Sequence, residues 1–575
     1  MESTVPPELV RFQISLPTKP SLRPAGPLAL SPDGHHLAFL ATSTDGIRRI
    51  WIRALNLLDV RPLAGTEGAG TLLFWSPDSR FIAFDSGGKL ERVDVSGGPA
   101  EPVCSLNLMG VGGSWNRDGV ILFGQFGGPI MRVASAGGVA TPLTVLDGAH
   151  GDVAHTNPRF LPDGTHFLYL RDNGTVGDIS VGSLDVKPEA QDSRRLVEGV
   201  VGPAYVPSVD QSLGHLLFLR GTTTLMAQPF DARHLSLSGN PVRVVEEPIQ
   251  QYLDFGLYSV SSSGALAFSP GNVEGQLTWF DKQGDVLSTV GSPGRYWGFT
   301  LPPDGTRAII SRYETSQLRA LWLLDLSRGT ETRLELDRST DHQIAIWAPD
   351  ARSIIFNWAL PGKMADIYEE PMSGTAVAQV LVQSNEWKIP TSLSPDGHFL
   401  LYQTVGGGTQ LKLWVLWLEE HQKPVPLLGT EFVESEGRFS PDGRRVAYVT
   451  NESGRSEVYV RSFSPDHLDQ GIANAADKWL ISRSGGVSPM WGQDGKTLYY
   501  MGPDRKLMAV DIARGPVFQP SAPNFLFQAP PSGSSFGWDQ WAPSPDRERF
   551  LFLVAQSQGQ APFTVVLNWQ VALKQ

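Results

Sequence analysis

The stretch FSPDGRRVAYV, residues 439–449, decides the fold of this chain. An apolar residue is followed by a Pro-Asp-Gly turn and a compact apolar run, and this signature returns every 40 to 52 residues. Three weaker copies, around Gly214, Gly264 and Asp546, fill the gaps and bring the total to twelve units. A period of this size is typical of a repeat architecture. The nine clear copies centre on Asp33, Asp78, Asp118, Asp163, Asp304, Asp350, Asp396, Asp442 and Asp494.

The repeated aspartates are predicted to form turns. In all nine clear copies an apolar residue, such as Trp347 or Phe439, stands three positions before the aspartate. Proline presets φ, aspartate bonds its own downstream backbone, and glycine accepts a positive φ. One strand therefore ends at the apolar residue and the next begins directly after the turn.

Each unit offers four short apolar strands, which is the content of one propeller blade. Twelve units exceed the roughly four to eight blades of one ring. The sequence therefore predicts an all-β fold of two tandem six-bladed β-propellers, with twelve four-stranded blades. The predicted divisions are an N-terminal segment with a closing strand at 1–20, a first propeller at 21–291 and a second at 292–575.

Ring closure requires an additional strand, because an open ring exposes strand edges. The strand Val10–Leu16 precedes the first unit and is predicted to complete a last blade, in a ring that the sequence leaves undecided. The segment Pro562–Trp569 is predicted to be the third strand of the twelfth unit.

Composition excludes several classes of protein. The formal net charge is -12 and no cluster of Lys and Arg stands out, so nucleic acid is not an expected partner. The single cysteine, Cys104, excludes an intrachain disulfide and is expected to be a buried apolar residue. No secretory signal and no apolar run of membrane-spanning length is present, so no membrane insertion is expected and the compartment stays open.

The repeats resemble the WD-like propeller repeats of the TolB type over nearly the whole chain. The segments Phe439–Phe463 and Tyr258–Phe280 and the terminal VVLNW resemble the propeller region of bacterial receptor-like serine/threonine protein kinases. This resemblance implies a sensor module outside the cytoplasmic membrane. The tripeptide Asp-Phe-Gly occurs at 254–256, but the His-Arg-Asp and strand-lysine motifs of a kinase are absent, so phosphoryl transfer is excluded for this chain.

One loop could bind a ligand or a metal ion in the first half. The stretch DGAHGDVAH places Asp147, His150, Asp152 and His155 within nine residues, just before the fourth unit. Two imidazoles and two carboxylates can coordinate a divalent ion. The alternative is that these four residues are ordinary solvated loop residues. The loop is therefore predicted to bind a ligand at a propeller mouth, and no metal is assigned to it.

The corresponding loops of the second half predict an acidic mouth with aromatic walls. Lys388 and Arg483 would offset part of the charge. Such a concavity attracts cations or basic peptide segments; ordinary polar loop residues spread over a rim are the alternative. The loop residues are Tyr296, Trp297, Asp341, His342, Glu386, Trp387, Glu434, Glu436, Trp538 and Asp539.

These features predict a noncatalytic module that binds a protein, peptide or small molecule at a propeller mouth, without a cofactor. The pattern Gly-x-Ser-x-Gly occurs as GSSFG at 533–537, but no segment long enough for a hydrolase domain is left over, which argues against a propeller-linked serine peptidase. The alternative is an enzyme of TolB-like build, such as a polysaccharide lyase or hydrolase. In that case His150, His155 and nearby carboxylates would act as acid, base or metal ligands.

Overall fold

The computed structural model describes residues 8–574, apart from 18–21, 44, 46, 108, 174–176, 193, 208–212, 222, 253–254, 272–273, 315–317, 335, 337–340, 361–362, 374–377, 385, 407–409, 420–422, 465–477, 514–517, 533–539 and 557–562. The described part is built of strands. Its helices are the 3₁₀ segments Gly148–His150, Pro188–Ala190, Pro503–Arg505 and Trp569–Lys574. No helix in these ranges is long and apolar enough to cross a membrane.

The strands pair antiparallel and form mostly four-stranded sheets, which confirms an all-β fold. We number the sheets along the chain and call the strand before each repeated turn the inner strand. Sheet 1 contains Arg23–Leu30, His36–Thr42, Arg48–Ala54 and Val60–Pro62; sheet 2 contains Leu73–Trp75, Phe81–Ser86, Lys89–Asp94 and Glu101–Ser105; sheet 3 contains Gly110–Trp115, Val120–Gln125, Met131–Ala134 and Thr141–Pro142.

Sheets 4 and 5 are continuous, because one long strand, Arg195–Val206, is the outer strand of the first and the inner strand of the second. The short hairpin Gln251–Tyr252 and Phe255–Gly256 follows. Sheet 4 also contains Ala154–Phe160, His166–Asp172 and Gly177–Ser183; sheet 5 also contains Gly214–Arg220, Thr224–Asp231, Ser236–Leu237 and Val242–Arg243.

Sheets 7 to 11 each use four consecutive strands. Sheet 7 contains Tyr296–Thr300, Arg307–Tyr313, Arg319–Asp325 and Glu331–Arg333; sheet 8 contains Asp341–Trp347, Ser353–Ala359, Asp366–Pro371 and Gln379–Val382; sheet 9 contains Trp387–Leu393, Phe399–Gly406, Gln410–Trp417 and Val425–Pro426; sheet 10 contains Glu434–Phe439, Arg445–Thr450, Glu457–Ser462 and Lys478–Leu480; sheet 11 contains Val487–Trp491, Thr497–Met501, Lys506–Asp511 and Asn524–Gln528.

Sheets 6 and 12 exchange strands across the chain. Sheet 6 consists of Tyr258–Val260, Leu266–Phe268, Phe563–Leu567 and Val10–Ile14 in that spatial order. Sheet 12 consists of Trp541–Pro543, Arg549–Ala555, Gly275–Asp281 and Val286–Gly294. The N-terminal strand therefore completes sheet 6 by pairing with the C-terminal strand.

This exchange corrects two sequence-based assignments. The segment predicted as the third strand of the twelfth unit contains Phe563–Leu567, which pairs with Leu266–Phe268 instead. The predicted boundary at residues 291 and 292 falls inside Val286–Gly294, and the neighbouring Gly275–Asp281 pairs with Arg549–Ala555. Backbone ladders carry no sequence code for their partner, so the local pattern could not reveal either exchange.

The repeated turns have the hydrogen bonds that the sequence predicts. In the turn after sheet 10's inner strand, Ser440 Oγ lies 2.5 Å from Oδ1 of Asp442, and the backbone N–H groups of Arg444 and Arg445 donate to the Asp442 and Ser440 side chains at 3.1 and 3.0 Å. The same arrangement recurs at Ser31 and Asp33. The aspartates are thus structural.

Neighbouring sheets pack face to face through apolar cores, as blades of a β-propeller do. Sheet 6 also packs against sheet 1, and sheet 12 packs against sheet 7. Cys104 is buried in the core between sheets 2 and 3, as predicted. Each interface holds a buried aromatic side chain: Phe39, Phe84, Phe123, Phe167, Phe218, Phe268, Tyr296, Phe356, Tyr402, Tyr448, Tyr500 and Phe552.

Candidate ligand-binding surface

The predicted binding residues lie where the chain enters the inner strands. His155 is the second residue of Ala154–Phe160, while Asp341 and Glu434 begin the inner strands of sheets 8 and 10. Because every inner strand runs from this end towards its turn, these entry points share one edge of their sheets. The structure shows what each of these side chains contacts there.

His155 and Asp152 belong to a buried network. Nε2 of His155 lies 3.0 Å from Oδ2 of Asp152, and Nδ1 lies 2.8 Å from Oγ1 of Thr144. Arg171 donates from Nη2 to Oδ2 of Asp152 at 2.8 Å. Burial alone would raise the pKa of Asp152, but hydrogen bonds from His155 and Arg171 lower it to about 2. Both ring nitrogens of His155 are therefore engaged, and Asp152 is an anion at neutral pH.

His150 forms an exposed pair with Asp147, whose Oδ2 also lies 3.7 Å from Nη2 of Arg171. Nδ1 of His150 lies 2.6 Å from Oδ2 of Asp147, and 66% of the His150 side chain is exposed. The hydrogen bond from His150 lowers the pKa of Asp147. The four polar residues of this loop thus divide into an exposed pair and a buried pair. Across the described ranges, no three His, Cys, Asp or Glu side chains are grouped as metal ligands.

Asp341 is neutralised within the second half by Arg319. Oδ1 of Asp341 accepts hydrogen bonds from the backbone N–H and from Nε of Arg319, both at 2.9 Å. The same guanidinium lies over the Trp297 ring, 4.0 Å from its centroid. Asp341, Arg319 and Trp297 are all buried. A carboxylate predicted to face a ligand therefore belongs to an internal ion pair covered by an aromatic ring.

Trp387 lies at a contact between the two halves of the chain. Its Nε1 donates to Oε1 of Gln343 at 2.8 Å, and its ring lies 6.0 Å from that of Phe126 in the turn after sheet 3's second strand. Phe126 and Met109 of the first half pack with Trp297 and Trp387 in one apolar cluster. These tryptophans were predicted as walls of an open mouth; the packing of the first half instead buries them.

The Lys388 side chain is hydrogen-bonded to the backbone of Glu386. Nζ of Lys388 donates to Oδ1 of Asp366 at 2.8 Å and to the backbone carbonyl of Glu386 at 2.7 Å. Lys388 is fully buried, which lowers its pKa, although Asp366 opposes the shift. Its positive charge is thus not available to offset a mouth. The Glu386 side chain stays partly exposed.

Glu434 and Glu436 differ in exposure although they are neighbours. Glu434 is fully buried, and its Oε1 accepts hydrogen bonds from the backbone N–H and Oγ1 of Thr430 at 2.8 and 2.7 Å. Glu436 is partly exposed, and its Oε2 accepts a hydrogen bond from the backbone N–H of Ser488 at 2.5 Å. Only Glu436 presents part of its side chain to solvent.

Two further predicted residues are buried. Tyr296 lies in the core between sheets 12 and 7 and donates its hydroxyl to the carbonyl of Ser292. His342 stacks on the Trp358 ring at 5.2 Å between centroids. Neither forms an open aromatic wall, because the core between sheets encloses both. Trp538 and Asp539 lie outside the described residues.

Sequence reasoning missed two arginines at equivalent positions of the two halves. The segments HTNPRF at 155–160 and ESEGRF at 434–439 share one register, because Arg159 pairs with Leu168 and Arg438 pairs with Ala447 on the second strands. Aligning the units on their inner strands, rather than on their turns alone, would have brought both arginines to attention.

Comparisons with known proteins leave the family open. No family model and no curated protein matches the chain. Among solved structures, a TolB-like protein from Agrobacterium tumefaciens has 15% identity and a TM-score of 0.38 over 50% of this chain and 99% of its own. The tricorn protease has 12% identity and a TM-score of 0.30, over 88% of this chain and 63% of its own. An oligogalacturonate lyase in complex with manganese has 16% identity and a TM-score of 0.27, over 59% and 83%.

Proposed function

We propose that this chain is a noncatalytic binding module built as two six-bladed β-propellers. The first ring comprises sheets 1 to 6 and the second comprises sheets 7 to 12. The proposal is supported by the cores that join sheet 6 to sheet 1 and sheet 12 to sheet 7. With the exchanged strands, the first ring uses residues 10–268 and 563–567, and the second uses 275–555.

One observation favours binding over catalysis. Two of the residues that an enzyme would use in the first half, His155 and Asp152, are buried and engaged by Thr144 and Arg171, while His150 stays exposed and paired with Asp147. A general base must be free to take a proton from a substrate. Here each group already has an internal partner, so the network stabilises the loop that enters sheet 4.

The proposed recognition surface consists of the partly exposed groups at the entry edge. His150 is the most exposed of them, and Glu386 and Glu436 keep part of their side chains in contact with solvent. The ligand is a protein, peptide or small molecule. The ion pairs of Asp152 and Asp341 leave this surface less acidic than the sequence predicts.

The resemblance of Phe439–Phe463 and Tyr258–Phe280 to kinase-linked propellers adds a biological role. We propose that the module acts as a bacterial sensor whose ligand is met outside the cytoplasmic membrane. A reading frame encoding a kinase and a membrane helix next to this gene would support that role, and the absence of any signalling partner in related genomes would oppose it.

A peptide-binding experiment tests the function. Synthetic peptides of acidic, neutral and basic composition are immobilised on a biosensor and the intact chain is passed over them. We expect saturable, reversible binding that weakens several-fold in a Glu386→Gln, Glu436→Gln double variant. The control is Glu274→Gln, at a position that the proposal does not use. Binding by none of the peptides, or equal binding by both variants, contradicts the proposed surface.

The same samples distinguish an enzyme from a binder. Each bound peptide is recovered after prolonged incubation and its mass is measured, and metal content is determined on the purified protein. The proposal predicts unchanged mass. A cleaved or modified peptide, or a stoichiometric ion that is lost in His155→Ala, would favour the alternative, an enzyme of TolB-like build.

A further inference from the structure

Arg159 and Arg438 are held in the same way on their inner strands. Arg159 donates from Nη1 to the carbonyl of Gly113 at 3.0 Å, and Arg438 donates from Nη1 to the carbonyl of Thr391. Both carbonyls belong to the inner strand of the preceding sheet. The two sites are therefore structurally equivalent, so any difference between them reflects side chains rather than the scaffold.

Each guanidinium keeps donors that the protein does not satisfy. Nε of Arg159 and Nε of Arg438 are buried and have no hydrogen-bond partner among the described residues. For Arg159, no carboxylate within those residues contributes to its electrostatic environment, whereas Glu436 contributes to that of Arg438. Arg159 is thus a cation without a counterion in the described chain.

Burial makes this arrangement costly for the free protein. It lowers the pKa of Arg159, because a cation removed from water loses hydration. Buried charges in proteins are normally paired. The residue as a whole nevertheless stays partly exposed, although Nε itself is buried, and this exposed part is the side from which an anion would approach.

The Arg159 guanidinium lies among several inner strands of the first half. It bonds Gly113 of sheet 3 and lies near Tyr258 of sheet 6. Tyr258 in turn donates its hydroxyl to the carbonyl of Gly202 in sheet 5. Contacts to sheets on both sides of sheet 4 place the charge near the centre that these strands surround.

No other charge stands at this level of sheets 1 to 6. The equivalent residues are identified by their partners on the second strands, which are Ala38, Ala83, Leu122, Leu217 and Ala267. Five of these positions are uncharged: Ala29, Phe74, Ser114, Ala204 and Ser259.

The two sites differ in the residue that lies two positions before the arginine. Asn157 and Glu436 occupy the bulge of their strands with φ of 52° and 57°. Asn157 is neutral, whereas the Glu436 carboxylate lies near Arg438 and also accepts the Ser488 N–H. The second half supplies its own negative group, and the first half does not.

We propose that Arg159 binds an oxyanion, a carboxylate or a phosphate group, at the centre of the first ring. The Nε and Nη2 edge of a guanidinium matches two oxygens of such a group, while Nη1 stays on Gly113. The inference deepens the proposed binding function by naming the charge and geometry of the ligand group.

Calorimetric titration tests the site on the intact chain. Sodium acetate, sodium citrate and sodium phosphate are titrated separately, with ionic strength held constant by sodium chloride. We expect one saturable site per chain, and the comparison of acetate and citrate with phosphate identifies the preferred group. In Arg159→Gln the affinity should fall by roughly tenfold or more. No saturable heat from any of the three salts overturns the proposal.

The matched control is Arg438→Gln, which removes the equivalent guanidinium from the second half. It should bind with the wild-type stoichiometry and affinity. Undiminished binding by Arg159→Gln, or an equal loss in both variants with intact near-ultraviolet circular dichroism, overturns the assignment to Arg159.

A second measurement uses only the wild-type chain, in case Arg159→Gln fails to fold. The chain is treated with an arginine-selective dicarbonyl reagent with and without the preferred anion, and modified peptides are quantified by mass spectrometry. The anion should protect Arg159 several-fold and leave the exposed Arg483 unprotected. Equal modification of Arg159 in both samples contradicts the proposal.

This outcome is separable from the peptide experiment. Peptide binding depends on Glu386 and Glu436, whereas oxyanion binding depends on Arg159 and is measured with inorganic and small organic salts. Oxyanion binding without peptide binding would retain the site and reject the proposed surface. Peptide binding without oxyanion binding would do the reverse.

Discussion

The inner strands of sheets 4 and 10, HTNPRF and ESEGRF, are the same structural element with opposite electrostatic solutions. At the entry, His155 bonds Asp152 and Thr144, whereas Glu434 accepts hydrogen bonds from Thr430. At the bulge, Asn157 leaves Arg159 uncompensated, whereas Glu436 lies near Arg438. The comparison teaches that a repeat scaffold preserves backbone geometry while each copy distributes its charges separately.

The largest expected effect comes from breaking the entry network of the first half. Arg171→Met leaves the buried carboxylate of Asp152 without its cation, which costs about 3 kcal/mol or more of unfolding free energy. Thr430→Val in the second half removes one hydrogen bond to Glu434 and should cost about 1 kcal/mol. Urea unfolding followed by circular dichroism measures both.

An exposed ion pair provides the control for that comparison. Arg92→Met removes the contact with Glu101, whose side chain is 59% exposed, and should cost below about 1 kcal/mol. If Arg171→Met is no more destabilising than Arg92→Met, the buried network does not stabilise the entry of sheet 4.

The next effect is a pH dependence confined to the first half. The pKa of Asp152 is lowered from 3.8 to about 2 in the folded chain. Its contribution is therefore complete above about pH 4 and disappears as pH falls through about 2, a total of about 2 kcal/mol. Asp152→Asn should lack this dependence, so wild type and variant converge in stability near pH 2.

Denaturant unfolding at a series of pH values from neutral to acidic measures this difference. Asp59→Asn, which changes an exposed carboxylate outside this network, serves as control and should follow the wild type closely. A constant difference between wild type and Asp152→Asn across the acidic range would show that Asp152 has no lowered pKa.

Exchanging the bulge residues sharpens the comparison directly. Asn157→Glu supplies an internal carboxylate and should weaken oxyanion binding by about tenfold, or about 1.4 kcal/mol. Glu436→Asn should create a second oxyanion site, and asparagine tolerates the left-handed backbone found there. Calorimetric stoichiometry rising from one to two would confirm that the bulge residue sets the difference. Unchanged binding in both variants would contradict that role.

The smallest expected effect concerns the turns that end the two strands. Ser440 bonds the Asp442 side chain and the Arg445 N–H, whereas Leu161 stands at the equivalent place in the first half. Ser440→Ala should cost about 1 kcal/mol of unfolding free energy. Thermal unfolding measures the change. The control is Ser453→Ala, at an exposed position in the next turn of the same sheet. An equal loss of stability in both variants would contradict a stabilising role for the Ser440 hydrogen bonds.

The sequence was sufficient to predict the elements of this fold. Proline, aspartate and glycine at fixed positions set the turns, and the apolar run after each turn set the strands, because both depend on neighbouring residues alone. The repeat period then gave the four-stranded sheets. His155, Asp341 and Glu434, which the sequence proposes as binding residues, lie at the entry of the inner strands.

Only the tertiary structure decided which strands and charges are partners. Phe563–Leu567 joins Leu266–Phe268, and Arg319 neutralises Asp341, because ladder bonds and ion pairs require proximity that no local pattern encodes. The contact of Phe126 with Trp387 likewise depends on how the two halves pack. The sequence therefore shows which acidic and aromatic residues precede the inner strands. Only the packing of the sheets shows that most of them are buried and that Arg159 has no counterion among the described residues.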